Sequence, residues 1–113
     1  MKRIEYYTTL DNKCPFIEWL EKLTPVYQAK VFARLDRLLE GNKGDWKHLE
    51  NSKLCELRLH FGQGYRIYYR ELNEIIVLIV AGSDKSNQNR TIKKANDYFE
   101  EYSTRRNKND NKS

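Results

Sequence analysis

The chain has 113 residues, which fits one domain with a modest hydrophobic core. Hydrophobic residues make up 39% and charged residues 33%, a polar composition that still differs from that of a disordered chain. The net charge is +5, but the last eleven residues hold four basic side chains against one acidic side chain, so charge alone is weak evidence for nucleic-acid binding.

No targeting or membrane segment is predicted. The opening Met-Lys-Arg is followed by Ile-Glu-Tyr-Tyr rather than by an apolar run, and no apolar stretch reaches the roughly 20 residues of a membrane span. The two cysteines, Cys14 and Cys55, have no paired spacing, and no close-set Cys or His pair is suited to a metal. We therefore expect a cytoplasmic protein with reduced thiols and with no metal or cofactor.

The first part of the chain is predicted to form a strand and two helices. Residues 3–8 are β-branched and aromatic, as in a strand. Pro15 suits the first position of a helix, and apolar residues then repeat at helical spacing, namely Phe16, Trp19, Leu20 and Leu23. A second helix is expected to begin with Thr24 as N-cap and Pro25 at its first position, and to stop at Gly41. Its apolar stripe is Tyr27, Val31, Leu35 and Leu38.

Residues 42–53 are expected to form a polar loop. After it, apolar residues recur at every second position instead of at helical spacing, and this alternation predicts strands. Residues 54–61 and 65–71 are expected to form a hairpin around the tight loop at 62–64. Residues 75–80 are apolar throughout, as in a central strand that is covered on both sides.

The remaining residues complete a predicted α+β domain. A loop at 81–88 leads to a helix whose stripe is Ile92, Ala95, Phe99 and Tyr102. The element order is then β-α-α-β-β-β-α, which predicts two layers: a mostly antiparallel sheet with a helical hairpin on one face and the other face free. One domain is expected over 1–102, and 103–113 is expected to be a disordered basic tail.

Alternation in the hairpin predicts which side chains share a face. A pairing of Phe61 with Tyr65 places six polar side chains together on the face away from the helices. The predicted cross-strand pairs are His60 with Arg66, Arg58 with Tyr68, and Glu56 with Arg70.

This set of side chains suits RNA phosphate chemistry. Arginine forks bind phosphate and stabilise charge in a transition state, a histidine moves protons near neutral pH, and a tyrosine stacks on an exposed base. The sequence has no carboxylate cluster suited to Mg²⁺, which favours metal-free cleavage through the ribose 2′-hydroxyl. The same pattern is also typical of a solvated face with cross-strand ion pairs, and Glu56–Arg70 in particular is expected to be a structural pair.

Several segments resemble, in order, parts of one toxin family. They read PFIEWL at 15–20, LCELRL at 54–59, GQGYRIYY at 62–69 and AGSDKSNQ at 81–88, and Ile92 and Ala95 match the helix that follows. The family is the HigB-type branch of the RelE/ParE toxins, and the resemblance covers roughly residues 3–102.

The resemblance implies a RelE-like fold and a type II toxin that cleaves messenger RNA in the ribosomal A site. By position, Arg58 and Arg66 are expected to hold the scissile phosphate. Lys85 is expected to assist from its loop, and His60 is the candidate acid or base. The further RNA-binding candidates are Tyr68, which would stack on or orient a base, and Arg70, Lys47, His48 and Arg90.

The implied partners are a cognate antitoxin protein, through which the chain would mainly oligomerise, and messenger RNA on the ribosome with contacts to ribosomal RNA. No membrane partner is implied. Residues 87–92 lack the Tyr or His that some family members use in proton transfer, and Glu56 stands where the best-known RelE-type toxins have a basic residue. Two alternatives stay open: a ParE-like inhibitor of DNA gyrase that is not an enzyme, and an inactive module that only binds the antitoxin.

Overall fold

The structure, a computed structural model, describes residues 2–110. Within this range the chain forms three helices and five strands. Their bounds are β1 Arg3–Tyr6, α1 Pro15–Glu21, α2 Pro25–Leu39, β2 Trp46–His48, β3 Cys55–Arg58, β4 Arg66–Glu71, β5 Ile76–Ser83 and α3 Gln88–Asp110. No helix among residues 2–110 is both long enough and apolar enough to cross a bilayer.

The strands form one mixed sheet in the order β1-β5-β4-β3-β2. The β1 strand runs parallel to β5, and the other neighbouring strands are antiparallel. Every residue of β5 is buried, as its unbroken apolar sequence predicts for a central strand. The prediction of an α+β domain with a mostly antiparallel sheet is therefore confirmed.

Helices α1 and α2 pack on the same face of the sheet, as predicted. The α2 helix begins as expected, because the side chain of Thr24 accepts a hydrogen bond from the backbone N–H of Tyr27 and Pro25 occupies the first turn. The core on this face combines residues of both helices with alternate strand residues, among them Phe16, Leu20, Val31, Leu35, Leu57, Ile67 and Ile79.

The opposite face of the sheet is not free, so the prediction of two layers is wrong. Helix α3 lies across it and buries Ala95 and Phe99 against strand residues that include Tyr68, Leu78 and Val80. The apolar stripe of α3 needs a surface to cover, and the central strands supply it because their residues are apolar on both faces. The domain thus has helices on both sides of the sheet.

Two further boundaries differ from the predictions. Residues 46–48, expected in a loop, form the edge strand β2 beside β3. Helix α3 continues to Asp110, so residues 103–110 are helical rather than disordered, while 111–113 lie outside the described residues. Contacts one helical turn apart favour this extension, since Arg105 donates to Glu101 at 2.7 Å and Arg106 donates to the hydroxyl of Tyr102 at 2.7 Å.

Candidate functional site

The β3–β4 hairpin has a register that differs by two residues from the predicted one. Arg58 lies opposite Arg66, and Glu56 lies opposite Tyr68. The pairing ends early because Phe61 leaves the strand and stacks on Tyr27 of α2, with ring centroids 5.5 Å apart. A shift of two residues keeps each side chain on its face, so the shared face of these four polar residues was predicted correctly although their partners were not.

Glu56 is the centre of the site. Its side chain is fully buried, and its two oxygens are held from four directions. The Oε2 atom lies 3.2 Å from Arg58 Nε and 4.0 Å from Lys47 Nζ. The Oε1 atom lies 3.6 Å from Arg66 Nε and accepts a 2.8 Å hydrogen bond from the side chain of Gln88. A buried carboxylate is stable only with such partners.

Lys85 approaches Arg66 from the other side of the hairpin loop. Arg66 Nη1 donates to the carbonyl of Gly64 at 2.6 Å, and the backbone N–H of Lys85 donates to the carbonyl of Gln63 at 3.3 Å. A Cβ placed on Gly64 would lie 3.4 Å from both Arg66 Nη1 and the Cβ of Lys85. Lys47, Arg58, Arg66 and Lys85 therefore form one basic cluster, in which three cations contact the carboxylate of Glu56 and Lys85 lies beside Arg66 at Gly64.

The two arginines of the cluster differ in exposure. The Arg58 side chain is 38% exposed, and its Nη atoms make no hydrogen bond to any residue within 2–110. The Arg66 side chain is only 12% exposed and is fixed between Glu56 and Gly64. Arg58 thus presents an open guanidinium fork to a ligand, while Arg66 contributes a charge whose position is fixed.

His60 lies outside the contacts of Glu56. Its Nε2 atom is 2.7 Å from Asp45 Oδ2, and its side chain is 75% exposed. Asp45 is tied to the hairpin because its carbonyl accepts a hydrogen bond from the backbone N–H of Arg58 at 2.9 Å. His60 and Asp45 therefore form an exposed pair beside β3, in which His60 is two residues beyond Arg58, the last residue of the strand.

Tyr68 is on the predicted face but cannot stack on a base, because α3 buries it completely. Its hydroxyl forms a 2.9 Å hydrogen bond with the side chain of Ser83. Burial raises the pKa of Tyr68 to about 12. Its observed role is to join β4 to the end of β5 under α3.

The other RNA-binding candidates are not brought together. Arg70 pairs neither with Glu56 nor with the cluster: it donates to the carbonyl of Lys53 at 2.8 Å and lies 5.6 Å from the ring of Phe99. The prediction of a Glu56–Arg70 pair is therefore wrong, because the two-residue register shift places Tyr68 opposite Glu56.

His48 and Arg90 also lie apart from the contacts of Glu56. His48 points to the sheet face opposite that of Lys47, where its Nδ1 atom is 3.4 Å from Cys55 Sγ. Arg90 is exposed on α3 and lines a cleft between α3 and α1.

The sequence did not predict that Glu56 lies at the centre of the site, or that Gln88 donates a hydrogen bond to it. The available signal was the apolar stripe of α3, because a helix that covers the second face of the sheet must also bury the polar residues of that face. Among the described residues, no three His, Cys, Asp or Glu side chains are grouped in a way that would hold a metal ion.

Comparison with known proteins gives one informative similarity. The chain is 43% identical over 93 residues to an uncharacterized protein of Haemophilus influenzae, and the match covers 81% of this chain and 89% of that protein. No protein-family model matches the chain.

Proposed function

The chain belongs to the same protein family as this Haemophilus influenzae protein, and we propose that it is the toxin of a type II toxin–antitoxin pair, an endoribonuclease that cuts messenger RNA on the ribosome. The observation that carries the proposal is the basic cluster, in which three cationic side chains contact one buried carboxylate and a fourth, Lys85, lies beside them. An excess of fixed positive charge at a solvent-accessible site suits a phosphodiester substrate.

The segments that resemble the RelE/ParE toxins meet around this cluster, which supports the same proposal. The hairpin supplies Arg58 and Arg66, and the segment after β5 supplies Lys85. Helix α1 places the ring of Trp19 over Gly82 at the end of β5. We assign a RelE-like fold as part of this proposal, because a parallel β1–β5 pair, a pair of helices on one face and a central hairpin all fit it.

The cluster suits cleavage through the ribose 2′-hydroxyl. The 2′-oxygen loses its proton and attacks the phosphorus, the bond from phosphorus to the 5′-oxygen breaks, and the leaving 5′-oxygen gains a proton. Negative charge grows on the phosphoryl oxygens in the transition state. The open fork of Arg58 is placed to bind these oxygens, and Arg66 at the start of β4 and Lys85 after β5 add positive charge.

The exposed His60–Asp45 pair is the proposed source of proton transfer. A carboxylate that accepts a hydrogen bond from one imidazole nitrogen orients the ring. His60 has the high exposure that contact with a substrate requires, and Asp45 is held by the backbone of Arg58.

The same cluster is the proposed target of a neutralising antitoxin. Arg58, Lys47 and Lys85 are accessible cations, and an acidic segment laid over them would block the site by charge complementarity. Co-expression with the product of the neighbouring gene should therefore yield a stable complex. Recovery of the chain alone would count against the proposed partner.

The decisive experiment uses purified protein, translating ribosomes and primer extension on the messenger RNA. We expect cuts inside the open reading frame that require the ribosome. Growth arrest without such cuts, together with inhibition of purified DNA gyrase, would replace the proposal with the ParE-like alternative. Antitoxin binding without either effect would identify an inactive binding module.

A further inference from the structure

A cleft of about 290 Å³ opens between α1 and α3, next to the loop that carries Lys85. We propose that this cleft binds one nucleotide of a single-stranded RNA that continues from the basic cluster. The inference rests on the proposed function for the identity of the substrate, and it assigns to that function a recognition site outside the cluster.

The floor of the cleft is the end of strand β5. The pairing of β1 with β5 ends where the backbone N–H of Tyr7 donates to the carbonyl of Ile79, whereas β5 continues to Ser83. Beyond Ile79, the edge of β5 that faces away from β4 has no partner strand among the described residues. Ala81, Gly82 and Ser83 line the cleft, so backbone donors and acceptors on this edge are placed to meet the edge of a base.

Aromatic side chains form the two walls. On the α1 side, the ring of Trp19 lies so close over Gly82 that a Cβ at that position would collide with it. On the α3 side, Tyr98 lines the cleft and stacks on Tyr7, with ring centroids 5.1 Å apart. Aromatic walls around an unpaired backbone edge are typical of sites that take an unstacked base.

The rim carries three cations that form no ion pair with the described residues. Lys22, Arg90 and Lys94 line the cleft, and no carboxylate among residues 2–110 lies within 4.0 Å of their charged groups. Two carboxylates also line it. Asp84 Oδ1 accepts hydrogen bonds from the side chain of Ser86 and the backbone of Asn87, and Glu18 is placed as a further acceptor for the amino group of a base.

The position of the cleft favours RNA over an acidic peptide. Asp84 lines the cleft, and the next residue, Lys85, belongs to the basic cluster. An RNA whose phosphate is bound by the cluster can therefore place an adjacent nucleotide in the cleft. The volume is at the lower end of the range for small-ligand sites, roughly 300–1,000 Å³, which fits one nucleotide and not a folded segment.

The test uses Trp19 as a local reporter in the full chain. The chain has two tryptophans, so Trp46→Phe leaves Trp19 as the remaining one. This variant is titrated, without ribosomes, with a short single-stranded RNA whose 2′-hydroxyls are methylated so that it cannot be cut. We expect a saturable change in Trp19 fluorescence. Arg90→Ala or Lys94→Ala should raise the dissociation constant about threefold to fivefold, as for one exposed charge contact, and lower the salt slope by about 1.

Lys93→Ala is the matched control, since Lys93 is an exposed lysine of the same helix that does not line the cleft. An unchanged affinity in this variant supports the site. Equal weakening by Lys93→Ala and Arg90→Ala would overturn it, because the binding would then follow overall charge. No change in Trp19 fluorescence on addition of RNA would also overturn it, as would a fluorescence change with polyglutamate but not with RNA. If wild-type protein does not cut messenger RNA, the proposed function fails, whereas the binding test remains decisive for the cleft.

Discussion

Arg58 and Arg66 lie directly opposite each other across the β3–β4 hairpin, and both contact the carboxylate of Glu56. Like charges at directly opposed positions of a sheet repel each other. The buried anion offsets this repulsion, so the hairpin holds two guanidinium groups close together without a bound ligand. This arrangement is a pre-formed anion site whose charge is balanced only in part.

Removing Arg58 should lower both activity and stability, by amounts that are measured separately. We expect Arg58→Ala to lower the rate of messenger RNA cleavage by about 10²–10³, equivalent to about 2.7–4 kcal/mol, if the effect of an oxyanion donor applies here. Arg58 Nε also donates a 3.2 Å hydrogen bond to the buried carboxylate of Glu56, so the free energy of unfolding should fall by about 1–3 kcal/mol. Primer extension and thermal unfolding measure the two effects. Arg37→Ala, an exposed arginine on α2, is the matched control, and full cleavage by folded Arg58→Ala would exclude the proposed site.

Removing Arg66 should affect both properties. Sequence alternation predicts Arg66 as a surface residue whose loss leaves stability unchanged, but its side chain is only 12% exposed and contacts Glu56 and Gly64. We expect Arg66→Ala to abolish growth arrest and also to lower the free energy of unfolding by about 1–3 kcal/mol, since it weakens the pairing of a buried charge. Urea unfolding of Arg66→Ala beside the exposed-arginine control Arg37→Ala checks this loss. Equal stability of these two variants would contradict the observed burial.

Neutralising Glu56 should destabilise the hairpin. Glu56→Gln keeps the size of the side chain but leaves Arg58 and Arg66 opposed without an anion between them. We expect a loss of about 3–5 kcal/mol in the free energy of unfolding, as for a broken buried ion pair. Added phosphate or sulfate should restore part of it, because either anion would occupy the site left between the arginines. Glu74→Gln in the exposed loop before β5 is the control, and equal stability of both variants would show that Glu56 does not hold the cluster.

Much of the fold follows from local sequence rules, and the exceptions have physical causes. Thr24 and Pro25 mark the start of α2 because capping depends on residues close in sequence. The hairpin register depends on a distant contact, the stacking of Phe61 on Tyr27, which no local rule contains. Sequence alternation therefore predicted the shared face of Arg58 and Arg66 but not that they oppose each other.

The sequence predicted which basic residues form the candidate site, but it did not predict which polar side chains are buried there. Arg58 and Arg66 follow from alternation, and Lys85 follows from the family resemblance. The burial of Glu56 and Tyr68 depends on α3, whose landing position on the sheet is a tertiary property. The sequence therefore favoured an exposed tyrosine for stacking, and the structure makes it a buried support.

Tyr68 should make stability depend on alkaline pH. Its pKa is raised from 10.0 to about 12 by burial, so the folded protein binds this proton more tightly than the unfolded chain does. Stability from this group is fully present below pH 10 and is lost as the pH rises from 10 towards 12. A shift of two units corresponds to about 2–3 kcal/mol. Tyr68→Phe should reduce this alkaline loss in urea unfolding, and an unchanged pH dependence would show that the hydroxyl titrates freely.

The two histidines allow a paired test of proton transfer. His60 is exposed and bonded to Asp45, whereas His48 lies on the opposite sheet face against Cys55. If His60 acts as acid or base, His60→Gln should lower the cleavage rate by about 10²–10⁴ and remove one limb of its pH profile. His48→Gln should leave both unchanged, since the His48 side chain lies against Cys55 on the sheet face opposite that of Glu56. Asp45→Asn should give an intermediate loss, because it keeps the shape of the side chain but weakens the hydrogen bond that orients the His60 ring. An intact pH profile in His60→Gln would leave the phosphate-binding arginines in place and move proton transfer to another group.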